Sequence, residues 1–358
     1  MDLTSLNIFY WGPIYEGSTS RARLEALQSL GCRVTGGSSA ELYRTVGRVS
    51  FHLARHLGLG PLVVAENRAL LEAVDRPYDV IWLDKAMLIR PSTLRALRRW
   101  APSLIHFTPD PMFPPRGPMP LFLRGIPLMD CHATTKPHEV PLYLHRGAPK
   151  VVLCTKSYDP ALHRSYPSEE LEPFRSDITF VGYRTRFKEA EIARILEALP
   201  GATVRVWGPA WEAKARNPLL RTRLGKIPEG LYGEDYGRAL AGARVGLGLL
   251  TWDLAPEEVI TDRILEIPAC GALLVAPRTD AIAAIFKDGE EALLFGSPEE
   301  MVERLRWALD HEAERAAIAR RGQARVQAGP FRNEDIVRNV LKVALSDSLD
   351  GALDPRQS

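Results

Sequence analysis

Short aliphatic runs separated by amphipathic stretches recur along this 358-residue chain, and that alternation most narrows what it can fold into. Runs such as Asp79–Leu83 and Leu273–Val275 are apolar almost throughout, rather than at every second position. A strand buried on both faces reads that way, as strands of a parallel sheet do. The stretches between them carry apolar residues at helical spacing. Strand and helix in alternation argue for an α/β chain with parallel sheets.

In the first half the expected strands are Leu6–Tyr10, Asp79–Leu83, Leu104–Phe107, Leu128–Cys131 and Val151–Cys154, with helices that include Arg21–Leu30 and Pro91–Trp100. The second half restarts the rhythm. Its strands are Ile178–Val181, Thr203–Trp207, Val245–Leu250, Leu273–Val275 and Ala292–Phe295. Its helices include Lys188–Leu199, Glu234–Ala241, Pro256–Ile267 and Pro298–Asp310. Between the halves, "SYDPALHRSYPSEELEPFRS" (Ser157–Ser176) is rich in proline and charge and reads as a connection. Two Rossmann-like units in tandem are therefore expected: residues 1–165 and 166–332, then a helix at 333–346 packing back near the first unit, and a polar tail at 347–358. In such folds ligands bind beyond the carboxyl ends of the strands, here in a cleft between the two parallel sheets.

Composition excludes several classes. With 46% hydrophobic and 25% charged residues and a net charge of +2, no global field draws the chain to nucleic acid or to an anionic membrane. The basic cluster Arg95, Arg98 and Arg99 reads as a solvated helix face, with a peripheral membrane contact as the alternative. Cys32, Cys131, Cys154 and Cys270 form no CxxC pair, which fits a reducing cytoplasm. No apolar stretch approaches the roughly 20 residues of a membrane span.

Several motifs stop short of a metal or P-loop site. Gly12 and Gly17 have P-loop spacing, but Ser18 stands where the lysine belongs. A plain strand-to-helix turn and a glycine loop over a sugar or acceptor both remain open for them. His52 and His56 lack the glutamate of a zincin, and Cys131, His132, His138 and His145 match no zinc pattern. There is no DxD carboxylate pair, so metal independence is expected. By contrast, "ITFVGYRTRFKEAEIARIL" ends a buried strand at Gly182 and carries Tyr183, Arg184, Arg186 and Lys188 into a helix, an arrangement suited to an anion.

In "EEVITDRILEIPACGALLVAP" (Glu257–Pro277), Pro256 and the glutamates suit a helix start. On one continuous helix Glu258, Asp262 and Glu266 would fall within about 80° of one another. Acids that close need hydroxyl donors or solvent, and a sugar supplies hydroxyls.

From "FVGYR", "VRVWGPAW", "LYGEDYGRALAGARVGLGLL", "TDRILEIPACGALLVAP" and "DGEEALLF", residues 178–345 resemble the C-terminal domain of CgeB-type, family-four-like glycosyltransferases with the GT-B fold. The first half resembles the acceptor domain loosely, through its strand count and "HFTPDP". The resemblance implies a hexosyltransferase that takes a nucleoside diphosphate sugar, a UDP-hexose by the habit of the fold, and transfers the sugar with retention to a small-molecule or glycan acceptor. Glu258 and Glu266 match its E-x7-E motif, although Val259, Ile260 and Thr261 replace the usual glycine-phenylalanine-glycine. It implies Glu258, Arg184 and Arg263 as catalytic, and Gly182, Tyr183, Arg184, Lys188, Gly208, Thr261, Asp262, Arg263 and Glu266 as donor-binding. Gly12, Gly17, His106 and Asp110 are expected at the acceptor or sugar, a structural turn being the alternative for the last two. The rival readings are a sugar-nucleotide epimerase of the same fold and a non-catalytic carbohydrate- or nucleotide-binding protein.

Overall fold

The computed structural model describes residues 3–113, 119–251 and 259–346. It divides into two compact units, residues 1–155 with 333–358, and residues 156–332. The division falls at Thr155/Lys156, earlier than the expected 165/166. Ser157–Ser176 is accordingly no free connection: Tyr158, His163 and Tyr166 are buried in the second unit, and the Tyr158 amide donates to the Phe331 carbonyl at 2.9 Å.

The first unit holds a six-stranded sheet of β1 (Asn7–Gly12), β2 (Arg33–Ser38), β3 (Val80–Asp84), β4 (Ser103–Thr108), β5 (Cys131–Thr134) and β6 (Val151–Leu153), in the order β2-β1-β3-β4-β5-β6. All its pairings are parallel. Strand period explains the uninterrupted apolar runs: Phe9, Trp11, Ile81 and Leu83 enter one core, while Ile8, Tyr10, Val80 and Trp82 enter the other. The helix Asn333–Ala344 covers the second face with Ile336, Val337, Val340 and Leu341. Lys150 Nζ donates to the carbonyls of Val343 (3.1 Å) and Ala344 (3.2 Å) at the end of that helix, where a cation is favoured.

The second unit holds β7 (Ser176–Val181), β8 (Val204–Trp207), β9 (Ala243–Leu247), β10 (Leu273–Pro277) and β11 (Leu293–Phe295), in the order β11-β10-β9-β7-β8. It too is parallel throughout. Counted within each unit, both sheets begin with the pattern 2-1-3-4-5, so the winding reverses between β1 and β3 and between β7 and β9. Those reversals leave a crevice at the carboxyl ends of the flanking strands.

At the first reversal lies a buried ion pair. Arg23 Nε and Nη2 reach the Asp84 carboxylate at 2.7 and 2.8 Å, and Ser20 Oγ donates to it at 2.7 Å. Burial alone would raise the Asp84 pKa, but the Arg23 charge and these hydrogen bonds hold it below its ordinary value. A β-carbon at Gly12 would stand 2.9 Å from Asp84 Cβ, and Gly17 turns at φ 75°. Ser18 Oγ caps the helix Thr19–Ser29 by accepting from the Arg21 amide at 3.1 Å. Backbone packing thus accounts for both glycines and for the serine.

Replacing Asp84 by Ala leaves Arg23 buried without its partner, which costs about 3–5 kcal/mol. The exposed Arg21–Glu25 pair, also at 2.7 Å, contributes no more than about 0.5 kcal/mol. Urea unfolding of Asp84→Ala and Arg21→Ala should reproduce that contrast; equal losses would contradict it. The Asp84 contribution is present above the unfolded carboxyl pKa of about 4 and is lost as pH falls through the lower folded value.

Candidate functional site

At the second reversal, β7 runs out at Val181 and Gly182 follows. A β-carbon on Gly182 would lie 2.9 Å from Arg263 Nη1, and one on Gly208 only 2.2 Å from the Gly182 carbonyl oxygen. Gly208 also has φ 141°, where L side chains are rare. The ends of β7 and β8 therefore meet backbone to backbone. That contact leaves space for a guanidinium beside Gly182. The Gly182 amide donates to the Trp207 carbonyl at 2.8 Å, and Trp211 Nε1 donates to the Gly182 carbonyl at 2.8 Å.

Two cations converge on one aromatic ring there. Arg263 Cζ lies 5.4 Å and Lys188 Nζ 5.7 Å from the centre of the Phe180 ring. Lys188 sits in the first turn of the helix Arg186–Ala198, where Thr185 Oγ1 accepts from its amide at 3.2 Å. Its ammonium donates to Thr251 Oγ1 at 2.9 Å. Arg263 Nη2 donates to the Leu249 carbonyl at 3.3 Å. Arg263 Nε and Thr261 Oγ1 are buried with no hydrogen-bond partner among the described residues. Unpaired buried donors beside cations at strand ends fit a site for a polyanion with several acceptor oxygens.

Arg184 differs from expectation. Its guanidinium is engaged by Glu189 through Nη2 and, at 2.7 Å, through Nε. Glu189 also accepts from the amides of Arg216 and Asn217 at 2.6 and 2.7 Å. Arg184 thus ties down a neighbouring loop, whereas Lys188 and Arg263 share Phe180. Tyr183 is exposed.

The expected helix Pro256–Ile267 is shorter at its start. The described helix is Arg263–Ala269, with Asp262 at its N-cap and no side-chain capping bond. Residues 259–261 are not helical, and Glu258 lies outside the described residues. The helix that holds Glu266 does not extend back through residues 259–261, so the expected continuous helix from Pro256 to Ile267 is not seen over its described part. Asp262 instead lies 4.0 Å from Lys156 Nζ.

Glu266 is largely enclosed. The Tyr236 hydroxyl donates to its Oε2, and His163 Nε2 lies 3.7 Å from its Oε1. His163 Nδ1 accepts from the Asp159 amide at 3.0 Å, so Nε2 carries the proton of a neutral ring. Burial lowers His163 to about 4. Burial also raises Glu266 to about 8, with the Asp262 carboxylate adding in the same direction. Lys156, His163, Tyr236 and Thr251 were not expected at this site from sequence. Thr251, directly after "GLGLL" at the end of β9, is the one with a local signal.

In the first unit, His106 is corrected outright. It is fully buried beside Phe122, at 4.8 Å, and opposite His132 on β5, since strand alternation turns it into the core. Burial lowers it to about 3, and its place in the core does not fit the expected contact with an acceptor or sugar. Asp110 is exposed and pairs with Lys85 at 3.5 Å. Lys85 holds a left-handed φ of 53° at the end of β3, a position that sequence reading passed over. Among the described residues no three His, Cys, Asp or Glu side chains form a metal-binding group.

The family model described as Glycosyl transferase-like matches residues 184–341. Three solved structures resemble the chain along almost its whole length. HepE of Anabaena, in complex with UDP-glucose, has a TM-score of 0.66 at 16% identity over 94% of this chain and 99% of that one. Sucrose-phosphate synthase of Thermosynechococcus elongatus gives 0.63 at 15% identity over 94% and 98%. A UDP-forming trehalose-phosphate synthase of Burkholderia xenovorans gives 0.62 at 14% over 96% and 100%. The fold is GT-B. At these identities the likeness is one of fold. No curated protein matches the chain.

Glu266 provides a test by pH. Its folded value of about 8 exceeds the ordinary carboxyl value of about 4.3, so the unfolded chain releases this proton first. Its contribution to stability therefore falls as pH rises from about 4 to 8 and levels off above that. Glu266→Gln should flatten this part of the pH–stability profile in thermal unfolding. An unchanged slope would contradict the assignment.

Proposed function

We propose that the protein transfers a glycosyl group from a nucleoside diphosphate sugar to an acceptor hydroxyl. The observation that carries this reading is the convergence of Lys188 and Arg263 on Phe180, at the strand ends where β7 and β9 part. Two cations and the N-terminal end of a 13-residue helix, Arg186–Ala198, suit a diphosphate. As the bond from the anomeric carbon to the diphosphate breaks, negative charge grows on the departing oxygens. Donors already in place stabilise that charge without reorganising.

The Glycosyl transferase-like match over this unit and the GT-B fold support transfer over other phosphate chemistry. HepE was solved with UDP-glucose, which supports a uridine nucleotide and a hexose here. The resemblance to family-four-like enzymes supports retention. In that scheme a donor phosphate oxygen takes the acceptor proton, the new glycosidic bond forms on the face the diphosphate leaves, and no protein base or metal is needed. Glu266, with Tyr236 and His163 around it, is assigned to the ribose hydroxyls. Asp262, Thr261, Tyr183 and Gly208 are assigned to the donor's remaining contacts, and Glu258 to the sugar. Arg184 is assigned the role of holding the loop at Arg216 and Asn217. Asp110 remains the acceptor-side assignment, while Gly12 and Gly17 shape the turn at the end of β1.

The test is incubation with a panel of sugar nucleotides, with and without cell extract. Release of nucleoside diphosphate that depends on extract is the expected result. An interconverted sugar, or no release with any donor, would overturn the reading. In calorimetry, Arg263→Ala and Glu266→Ala should each weaken nucleotide affinity by about 1–3 kcal/mol, the scale of a hydrogen bond to a charged group.

A further inference from the structure

Lys156 opens the second unit, and its side chain is only 9% exposed. Burying an ammonium is costly unless acceptors meet its N–H groups. Buried cations elsewhere in the molecule have such acceptors. Arg23 donates to the Asp84 carboxylate at 2.7 and 2.8 Å, Lys188 to Thr251 Oγ1 at 2.9 Å, and Arg315 to the Ala308 carbonyl at 3.0 Å. The acid facing Lys156 is Asp262, whose Oδ2 lies 4.0 Å from Nζ, beyond hydrogen-bond reach. Among the described residues no acceptor is hydrogen-bonded to that ammonium. The Asp262 side chain is itself 37% exposed, so solvent screens the charge it offers.

The segment that carries Lys156 is fixed within the second unit. The Tyr158 amide donates to the Phe331 carbonyl at 2.9 Å, and the Asp159 amide donates to His163 Nδ1 at 3.0 Å. One short stretch of chain thus brings two donors to the same carboxyl. His163 Nε2 lies 3.7 Å from Glu266 Oε1, and Lys156, with Arg263, is close enough to favour the charged form of Glu266. The Tyr236 hydroxyl already donates to Glu266 Oε2, which leaves Oε1 for a ligand. A ligand hydroxyl that donates there keeps lone pairs of its own. An ammonium without an acceptor is at hand to meet them.

We infer that Lys156 donates to the ribose hydroxyls of the bound nucleotide, the same hydroxyls that donate to Glu266, and so selects a ribonucleotide over its deoxy forms. This rests on the nucleotide site proposed above. A site whose donor and acceptor both wait for a hydroxyl rejects a ligand that lacks it, because both groups then stay buried and unpaired. A structural Lys156 would behave otherwise. Its pairing with Asp262 would be its whole role, and removing the ammonium would lower stability. As a ligand-binding group it destabilises the empty protein, and an apolar side chain of similar length is neutral or stabilising in its place.

UDP and 2′,3′-dideoxy-UDP are titrated calorimetrically into the parent and Lys156→Met, and the unfolding temperature of each unliganded protein is measured. The parent should bind UDP about tenfold or more tightly than the dideoxy compound. Lys156→Met should weaken UDP binding by about tenfold, bind the dideoxy compound within about twofold of the parent, and unfold at the same temperature or higher. Equal UDP affinity in the two proteins, an equal loss with both nucleotides, or a lower unfolding temperature overturns the inference. So does a parent that binds both nucleotides alike, a result that does not depend on how the variant folds. A parent that binds no UDP removes the nucleotide site together with this role of Lys156, whereas each of the other contrary results removes the role of Lys156 alone.

Discussion

Bare backbone at Gly182 is what allows two cations to meet at the end of β7. The guanidinium of Arg263 occupies the space a side chain would fill, and Lys188 shares the Phe180 ring with it. Like charges drawn together in a partly dry site repel unless something negative lies between them. Thr251 and the Leu249 carbonyl orient the two groups. The diphosphate proposed for this site would bring several oxygens within reach of the unbonded Arg263 Nε. Gly208 belongs to the same constraint, because its close approach to the Gly182 carbonyl holds the two strand ends in place.

The parallel sheets were legible because their strands are buried on both faces. Every strand expected from an aliphatic run has a counterpart, shifted by a few residues at most. The edge strand β2, "RVTGGS", carried no such signal. None of its residues is buried, and its glycines are there for contact: a β-carbon on Gly36 would lie 1.8 Å from the Tyr10 carbonyl oxygen. An exposed edge leaves no continuous apolar run to read. The segment Ser157–Ser176 misled for the opposite reason. Its prolines and charges read as a linker, yet its aromatic residues anchor it in the second unit.

At the site, residue types were legible and pairings were not. Gly182, Lys188 and Arg263 are local features of strand-to-helix junctions, and the structure brings all three together. Arg184 has the same local character. Its carboxylate partner comes from one turn further along the helix, which also gathers Arg216 and Asn217 from a distant loop. The surroundings of Glu266 arise only on folding, since Tyr236 and His163 come from separate segments. His106 looked like a loop ligand near "TPDP", but strand alternation decides the side it faces, and it faces the core.

Burial around Glu266 suggests how the site responds to a ligand. A carboxyl held largely neutral by its surroundings becomes a better acceptor once hydroxyl donors arrive beside it. The most direct measurement is calorimetric titration of UDP into the parent protein and Gly182→Ala. The added methyl should push Arg263 away from Phe180, weakening UDP binding while leaving the unfolding temperature nearly unchanged. Equal affinity in the two proteins would mean that the cations beside Gly182 do not hold the diphosphate.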